Sequence, residues 1–307
     1  MDILDAIGNT SLVPLRRVVP EGAARVLVKL EWENPTGSMK DRMALAAIAR
    51  AEADGRLKPG DTVVEYTGGS TGASLALVCA ARGYRLHLVT SDAFSRDKRD
   101  QMAALGATLQ LVPSAGGRST KKLFLDMIET ARALSREPRT FWNDQLNNRD
   151  IPAGYAALGE EIWSGTEGRV DAFVHSVGTA ASLRGVGSAL KERRGGVRLV
   201  AVEPAESPVL GGGAPGPHDI EGIGIGGIPP LWDRSLVDDI VPVPTADAKG
   251  MCRRLAREEG LFAGTSSGAN VVAALGVAAR LGKGATVVTL LVDSGLKYLG
   301  TDLYRSS

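Results

Sequence analysis

At 307 residues the chain has room for about two domains of roughly 150 residues, or one large α/β unit. Lys and Arg number 36 against 35 for Asp and Glu, so no basic excess draws it to nucleic acid. Four Trp, five Tyr and five Phe leave few stacking platforms for single strands. Two cysteines, Cys79 and Cys252, cannot make a disulfide framework or a Cys-ligated metal site. His87, His175 and His218 lack the clustering a metal motif needs, so no metal is expected. The N-terminal MDILDAIGNT has no apolar signal core, and no run approaches the roughly 20 apolar residues of a membrane span. A cytoplasmic protein is expected. The 38 glycines are well above the usual share and suggest tight backbone turns around a small ligand.

In chain order, β-branched runs predict strands at 26–30, 62–66, 85–90, 108–112, 170–175, 198–203 and 286–292. Ala-rich segments predict helices at 40–54, 71–82, 96–104, 119–134, 153–163, 180–193, 246–259 and 268–280. This alternation predicts βαβ units and mostly parallel sheets with helices on both faces. A boundary is expected near 136–150, where REPRT and QLNNRD are polar and turn-rich. Residues 204–232 form a long stretch rich in Gly and Pro, read as a flap or a site wall.

Three motifs point the wrong way. Gly211, Gly213 and Gly216, and again Gly222, Gly224 and Gly227, match the spacing G-x-G-x-x-G. Prolines at 215, 217, 229 and 230 prevent either from opening a helix as a dinucleotide site requires. Gly264, Ser266 and Gly268 match a nucleophile elbow, but no histidine follows position 218 to complete a hydrolase. A serine N-cap for helix 268–280 is the structural expectation there.

A different set of residues is coherent. In NPTGSMKDR, Lys40 lies between a strand and an Ala-rich helix, where an enclosed lysine can lose its proton and attack a carbonyl. After strand 62–66 come Thr67, Gly68, Gly69, Ser70 and Thr71, and after strand 170–175 come Gly178, Thr179, Ala180, Ala181 and Ser182. Such loops offer N–H and hydroxyl donors to an anion at a helix start. Two anion cradles and a lysine suit a phosphate, an amino-acid carboxylate and an aldehyde. Pyridoxal 5′-phosphate carries that phosphate and aldehyde and takes amino acids as substrates.

The landmarks NPTGSMKDR, TGGSTG, QLNN, VGTAAS, AVEP, PGPHDIEGIG, GTSSGA and SGLKYL occur in that order. With them the chain resembles the cysteine synthase (O-acetylserine sulfhydrylase) family of fold-type II pyridoxal-phosphate β-synthases, over nearly its whole length. The resemblance implies an α/β fold of two domains, each a mostly parallel twisted sheet flanked by helices, of the tryptophan synthase β type. It implies a smaller, mobile substrate-loop domain at 40–145 and a larger cofactor domain made of 1–39 and 146–307. By resemblance Lys40 is the catalytic Schiff-base lysine, and 178–182 holds the phosphate. Thr67, Gly68, Gly69, Thr71, Gln145 and Gly222 meet the substrate, Ser70 the cofactor's 3′-oxygen, and Ser266 the pyridine nitrogen. The implied reaction replaces the leaving group of an O-acetylserine-like substrate with sulfide or another small nucleophile, through an aminoacrylate, in a homodimer.

Two departures from the family pattern bear on the substrate. Ser70 and Gly68 stand where Ser-Gly-Asn-Thr-Gly members carry Asn and Ser, leaving a shorter donor and one hydroxyl fewer. A specialised β-substituted alanine synthase, a cystathionine β-synthase-like enzyme and a β-eliminating dehydratase are the implied alternatives. The dehydratases usually show G-N-H-x-Q where this chain has Ser70, Thr71 and Gly72.

Overall fold

A computed structural model describes residues 2–117 and 120–305. In chain order its strands are β1 (Leu12–Pro14), β2 (Arg25–Leu30), β3 (Thr62–Tyr66), β4 (Arg85–Ser91), β5 (Thr108–Val112), β6 (Thr140–Trp142), β7 (Ala172–Ser176), β8 (Arg198–Pro204), β9 (Asp239–Val243) and β10 (Thr286–Leu291). The helices are α1 (Lys40–Ala53), α2 (Ser70–Arg82), α3 (Arg96–Ala104), α4 (Lys121–Leu134), α5 (Ala156–Gly165), α6 (Ala181–Arg193), α7 (Thr245–Arg254) and α8 (Thr265–Leu281). They divide into two units. The smaller comprises Met1–Ile7 and Asn34–Gly154, the larger Gly8–Glu33 and Tyr155–Ser307.

The smaller unit is built on four strands in the order β5-β4-β3-β6, every adjacent pair parallel. Side chains alternate across a strand, so successive residues of β3 feed two cores. Val63 joins Ile48, Ala51, Leu75, Val78, Leu88 and Met102, whereas Val64 and Tyr66 join Val89, Leu123, Met127 and Ala131. A strand covered on both faces is apolar at consecutive positions, which is why TVVEY reads as a short continuous run.

The larger unit carries six strands in the order β1-β2-β10-β7-β8-β9. Its pairs are parallel except β1 with β2. Val26, Val28, Val174, Val200, Val202, Val287 and Leu291 pack against the alanine-rich face of α8. The long irregular stretch is held from within, since the Glu203 carboxylate accepts N–H bonds from Leu210 at 2.7 Å and Gly211 at 3.0 Å.

The structure departs from the sequence reading in particular places. Strands β1, β6 and β9 were not expected, and each is a sheet edge. An edge strand needs only one ladder, so it can be as short as β1 and β6 or carry Pro242, as β9 does. Helix α8 begins at Thr265 with Gly264 at the N-cap and no side-chain cap bond, so no serine caps it. The helix expected at 246–259 finishes as a π-turn over Leu255–Glu259. The one expected at 153–163 is a 3-10 turn followed by α5. The expected start of α4 at Ser119 lies outside the described residues. Among the described residues no helix is long and apolar enough to cross a membrane.

Candidate active site

In the smaller unit, Lys40 is the first residue of α1 and is half-buried. The loop ahead of it is fixed by its own polar groups. Gly37 donates its N–H to the Asn34 carbonyl at 2.7 Å. The buried Asp41 carboxylate accepts from the Thr36 N–H at 2.8 Å and hydroxyl at 2.6 Å. A carboxylate in the first turn also suits the positive end of the helix. The Thr36 and Ser74 hydroxyls, 3.3 Å apart, tie this loop to α2.

That helix opens from the TGGST loop. Thr67 donates its N–H to Val89 at 2.9 Å, prolonging the β3–β4 ladder by one residue. Its hydroxyl then accepts the Gly69 N–H at 3.1 Å. Thr71 donates to Gln145 Oε1 at 2.7 Å, and Gln145 Nε2 donates to the Tyr66 carbonyl at 3.1 Å. One Nε2–H of Gln145 remains for a ligand. Thr67, Gly68, Gly69, Ser70, Thr71 and Gln145 are thus brought together.

Glu65 is the residue that sequence reasoning missed. Its fully buried carboxylate accepts from Asn143 Nδ2 at 2.7 Å, Tyr66 N–H at 2.8 Å and Gln145 N–H at 2.9 Å. Burial pushes its pKa up to about 7, against the pull of those donors. An acid inside an otherwise apolar central strand was the available signal.

In the larger unit, β7 runs into the second loop. A methyl group built on Gly178 would stand 2.4 Å from the Gly222 carbonyl oxygen, so only glycine fits. Gly222 itself has φ +84°, where a side chain is strained, and Gly224 donates its N–H to Val177 at 3.1 Å. Two site residues separated by 44 positions, 178 and 222, therefore meet. Ala180 holds a left-handed φ of +67° at the start of α6.

Behind this loop, Ser182 Oγ lies 2.8 Å from His175 Nε2, and Asn270 Nδ2 lies 3.3 Å from His175 Nδ1. The Asn270 Oδ1 accepts from Ser176 N–H at 2.7 Å, which makes Nδ2 the donor to the ring. His175 then carries its proton on Nε2 and donates to Ser182, leaving the Ser182 hydroxyl proton for an anion. At the start of α8, Thr265 accepts the Glu221 N–H at 2.9 Å and Ser267 the Val292 N–H at 2.8 Å. The hydroxyl between them, on the buried Ser266, has no hydrogen bond to a described residue.

A family model for "Pyridoxal-phosphate dependent enzyme" matches residues 3–293. A cysteine synthase of Staphylococcus aureus is 45% identical over 305 residues, covering 99% of this chain and 96% of that protein. The chain belongs to the pyridoxal-phosphate dependent enzyme family. Among solved structures, a cysteine synthase of Entamoeba histolytica superposes with a TM-score of 0.94 at 39% identity, covering 100% of this chain and 91% of that one. An O-ureido-L-serine synthase superposes with a TM-score of 0.91 at 41% identity, covering 98% and 94%.

The larger unit's residues fit the family's cofactor. The glycine-only approach of 178 to 222 leaves the loop's N–H groups and the start of α6 open to an anion, with Ser182 as hydroxyl donor. Ser266 offers an unused hydroxyl at a buried place. Such a cradle has no space for a methyl group. Gly178→Ala is expected to lower pyridoxal phosphate retention at least tenfold, read as visible absorbance per protein after gel filtration. Full retention would show that the 178–222 approach does not hold the phosphate.

Proposed function

We propose that this enzyme replaces the β-substituent of an O-activated serine, such as O-acetyl-L-serine, with sulfide or another small nucleophile. The observation that carries the reading is the hydrogen-bond circuit from the Thr71 hydroxyl to the Gln145 side chain, and from the Gln145 backbone N–H to Glu65, in the same unit as Lys40. It arms one loop with donors for an amino-acid carboxylate. Bound pyridoxal phosphate supplies an electron sink for the bond broken at the substrate's Cα.

The residues divide the work. In the larger unit the N–H groups of 178–181 and the Ser182 hydroxyl hold the phosphate. Ser266 meets the pyridine nitrogen with a neutral hydroxyl. A neutral partner draws less charge into the ring than a carboxylate, which favours expulsion of a β-leaving group over transamination. In the smaller unit the N–H groups of Gly68, Ser70 and Thr71 and the remaining Gln145 N–H hold the substrate carboxylate, while the Thr67 N–H, the Gly69 N–H and the Thr71 hydroxyl are used within the loop and its neighbours to shape it. Lys40 Nζ would hold the cofactor covalently at rest and would serve as the base that takes the Cα proton of a bound substrate. Ser70, at the first position of α2, would be the residue that meets the cofactor's 3′-oxygen. The protein is read as a cytoplasmic homodimer whose smaller unit is the mobile one. The relatives' names support the reading, since a cysteine synthase and an O-ureido-L-serine synthase both build β-substituted alanines.

Incubation of the reconstituted enzyme with O-acetyl-L-serine and sulfide is expected to yield cysteine, detected by mass spectrometry. A panel of β-substituted alanines and thiols run alongside identifies the preferred pair. Failure to replace the β-substituent of any member would overturn the proposal.

A further inference from the structure

Gly68 has no room for a side chain. A methyl group built on it would stand 2.6 Å from Phe94 Cε1, 2.8 Å from Cδ1 and 2.9 Å from Cζ. The ring edge already occupies that space. Nor is the ring loose. It packs on Phe124 with centroids 5.9 Å apart and, half-buried, against the core around Val64, Tyr66 and Val89. The turn that carries it is pinned by Ser91, whose carbonyl accepts the Phe94 N–H and whose hydroxyl accepts the Ala93 N–H, both at 3.2 Å.

The same side of this segment covers the rest of the loop. Lys98 Cδ would lie 3.3 Å from a methyl group on Gly69, and Met102 Sδ 2.5 Å from one on Gly72. Positions 98 and 102 are spaced by four along α3, the interval that lines up side chains on one helix face, and Phe94 lies two residues ahead of the helix. Three side chains running into and along α3 therefore rest on three glycines of the TGGSTG loop.

We propose that Phe94 is a specificity-determining residue, its ring standing in for the side chain that position 68 lacks. The substrate carboxylate then meets an apolar wall at that point of the loop and not a hydroxyl. Glycine at 68 and phenylalanine at 94 form one compensating pair, and either changed alone breaks the fit. This rests on the assignment of 67–71 to the substrate carboxylate made above.

The test is a cycle of four holoenzymes: wild type, Gly68→Ser, Phe94→Ala and the double variant. Each is titrated with L-serine and with O-acetyl-L-serine while the cofactor's visible absorbance is followed, and each is melted. Gly68→Ser is expected to weaken amino-acid binding at least tenfold with cofactor content unchanged. Phe94→Ala is expected to weaken it several-fold, since the wall is lost. The double variant, in which the serine finds room, is expected to bind within threefold of wild type. Effects on binding that multiply independently across the cycle would overturn the pairing, even if melting temperatures couple, because a packing role alone would account for those. Should Gly68→Ser not fold, a folded double variant that binds supports the proposal, and a double variant that folds without binding overturns it. A wild type that carries cofactor but binds neither amino acid would overturn the carboxylate assignment and this inference together. Binding in the wild type with an independent cycle overturns the inference alone.

Discussion

Lys40→Ala is expected to lower turnover by a factor on the order of 10³ or more, since it removes the residue proposed as both covalent anchor and base for the Cα proton. The fold should survive the change. The loop before α1 is held by Asp41 and Thr36, and the contact of residue 40 with Ser38 is made by the backbone N–H, at 3.2 Å. The variant should keep cofactor through the phosphate loop of the larger unit, but without a covalent bond. Borohydride treatment followed by peptide mass spectrometry is expected to place the reduced cofactor on Lys40 in the wild type and nowhere in Lys40→Ala. Reduced cofactor on another lysine, or turnover within tenfold of wild type, would remove Lys40 from its proposed role.

How much of this was legible from the sequence depends on how local each feature is. Strands β2, β3, β4, β7, β8 and β10 lie inside their sheets, and burial on both faces leaves a continuous apolar run that a single segment displays. The edge strands β1, β6 and β9 show no such run, because half their environment is solvent or loop, whereas the edge strand β5 was expected at 108–112. The start of α8 was misread for a related reason. Ser266 and Ser267 look like caps in sequence, but the Ser267 hydroxyl accepts from Val292, which lies 25 positions away. At the candidate site, the placement of Lys40 and of the two Gly/Ser/Thr loops ahead of helices was legible, because a donor-rich turn before a helix is a local pattern. Glu65 with Asn143, and Gly68 with Phe94, were not. Each is a pair of residues, 78 positions apart in the first case, joined only when β3 takes β6 on one side and β4 on the other. Gly68 therefore read as a missing hydroxyl, whereas in the fold the ring of Phe94 excludes any side chain there.

Replacing Glu65 should change both the pH dependence of stability and the binding of substrate. The carboxylate is fully buried and its pKa is pushed up to about 7 from 4.5, first by loss of solvation and further by the nearby charge of Asp144. Between those two values the unfolded chain has released this proton while the folded chain still holds it. The folded state then binds more protons, so stability falls as pH rises from about 4.5 to about 7. A shift of this size corresponds to a loss of about 3 kcal/mol across that window. Glu65→Gln cannot titrate, and its melting temperature is expected to lose that decline between pH 4.5 and 7. The amide has a cost of its own. Both carboxylate oxygens accept backbone N–H bonds, from Tyr66 at 2.8 Å and Gln145 at 2.9 Å, and an amide nitrogen can accept neither. One buried N–H loses its partner, a penalty of about 1–3 kcal/mol. If the Gln145 bond is the one lost, the side chain that joins Thr71 to Tyr66 is no longer held, and KM for the amino-acid substrate should rise several-fold with a smaller change in kcat. Melting curves and steady-state kinetics over pH 5–8 would measure both effects. The same pH slope in Glu65→Gln as in the wild type would show that Glu65 is not the titrating group. An unchanged KM would show that the Gln145 backbone does not depend on it.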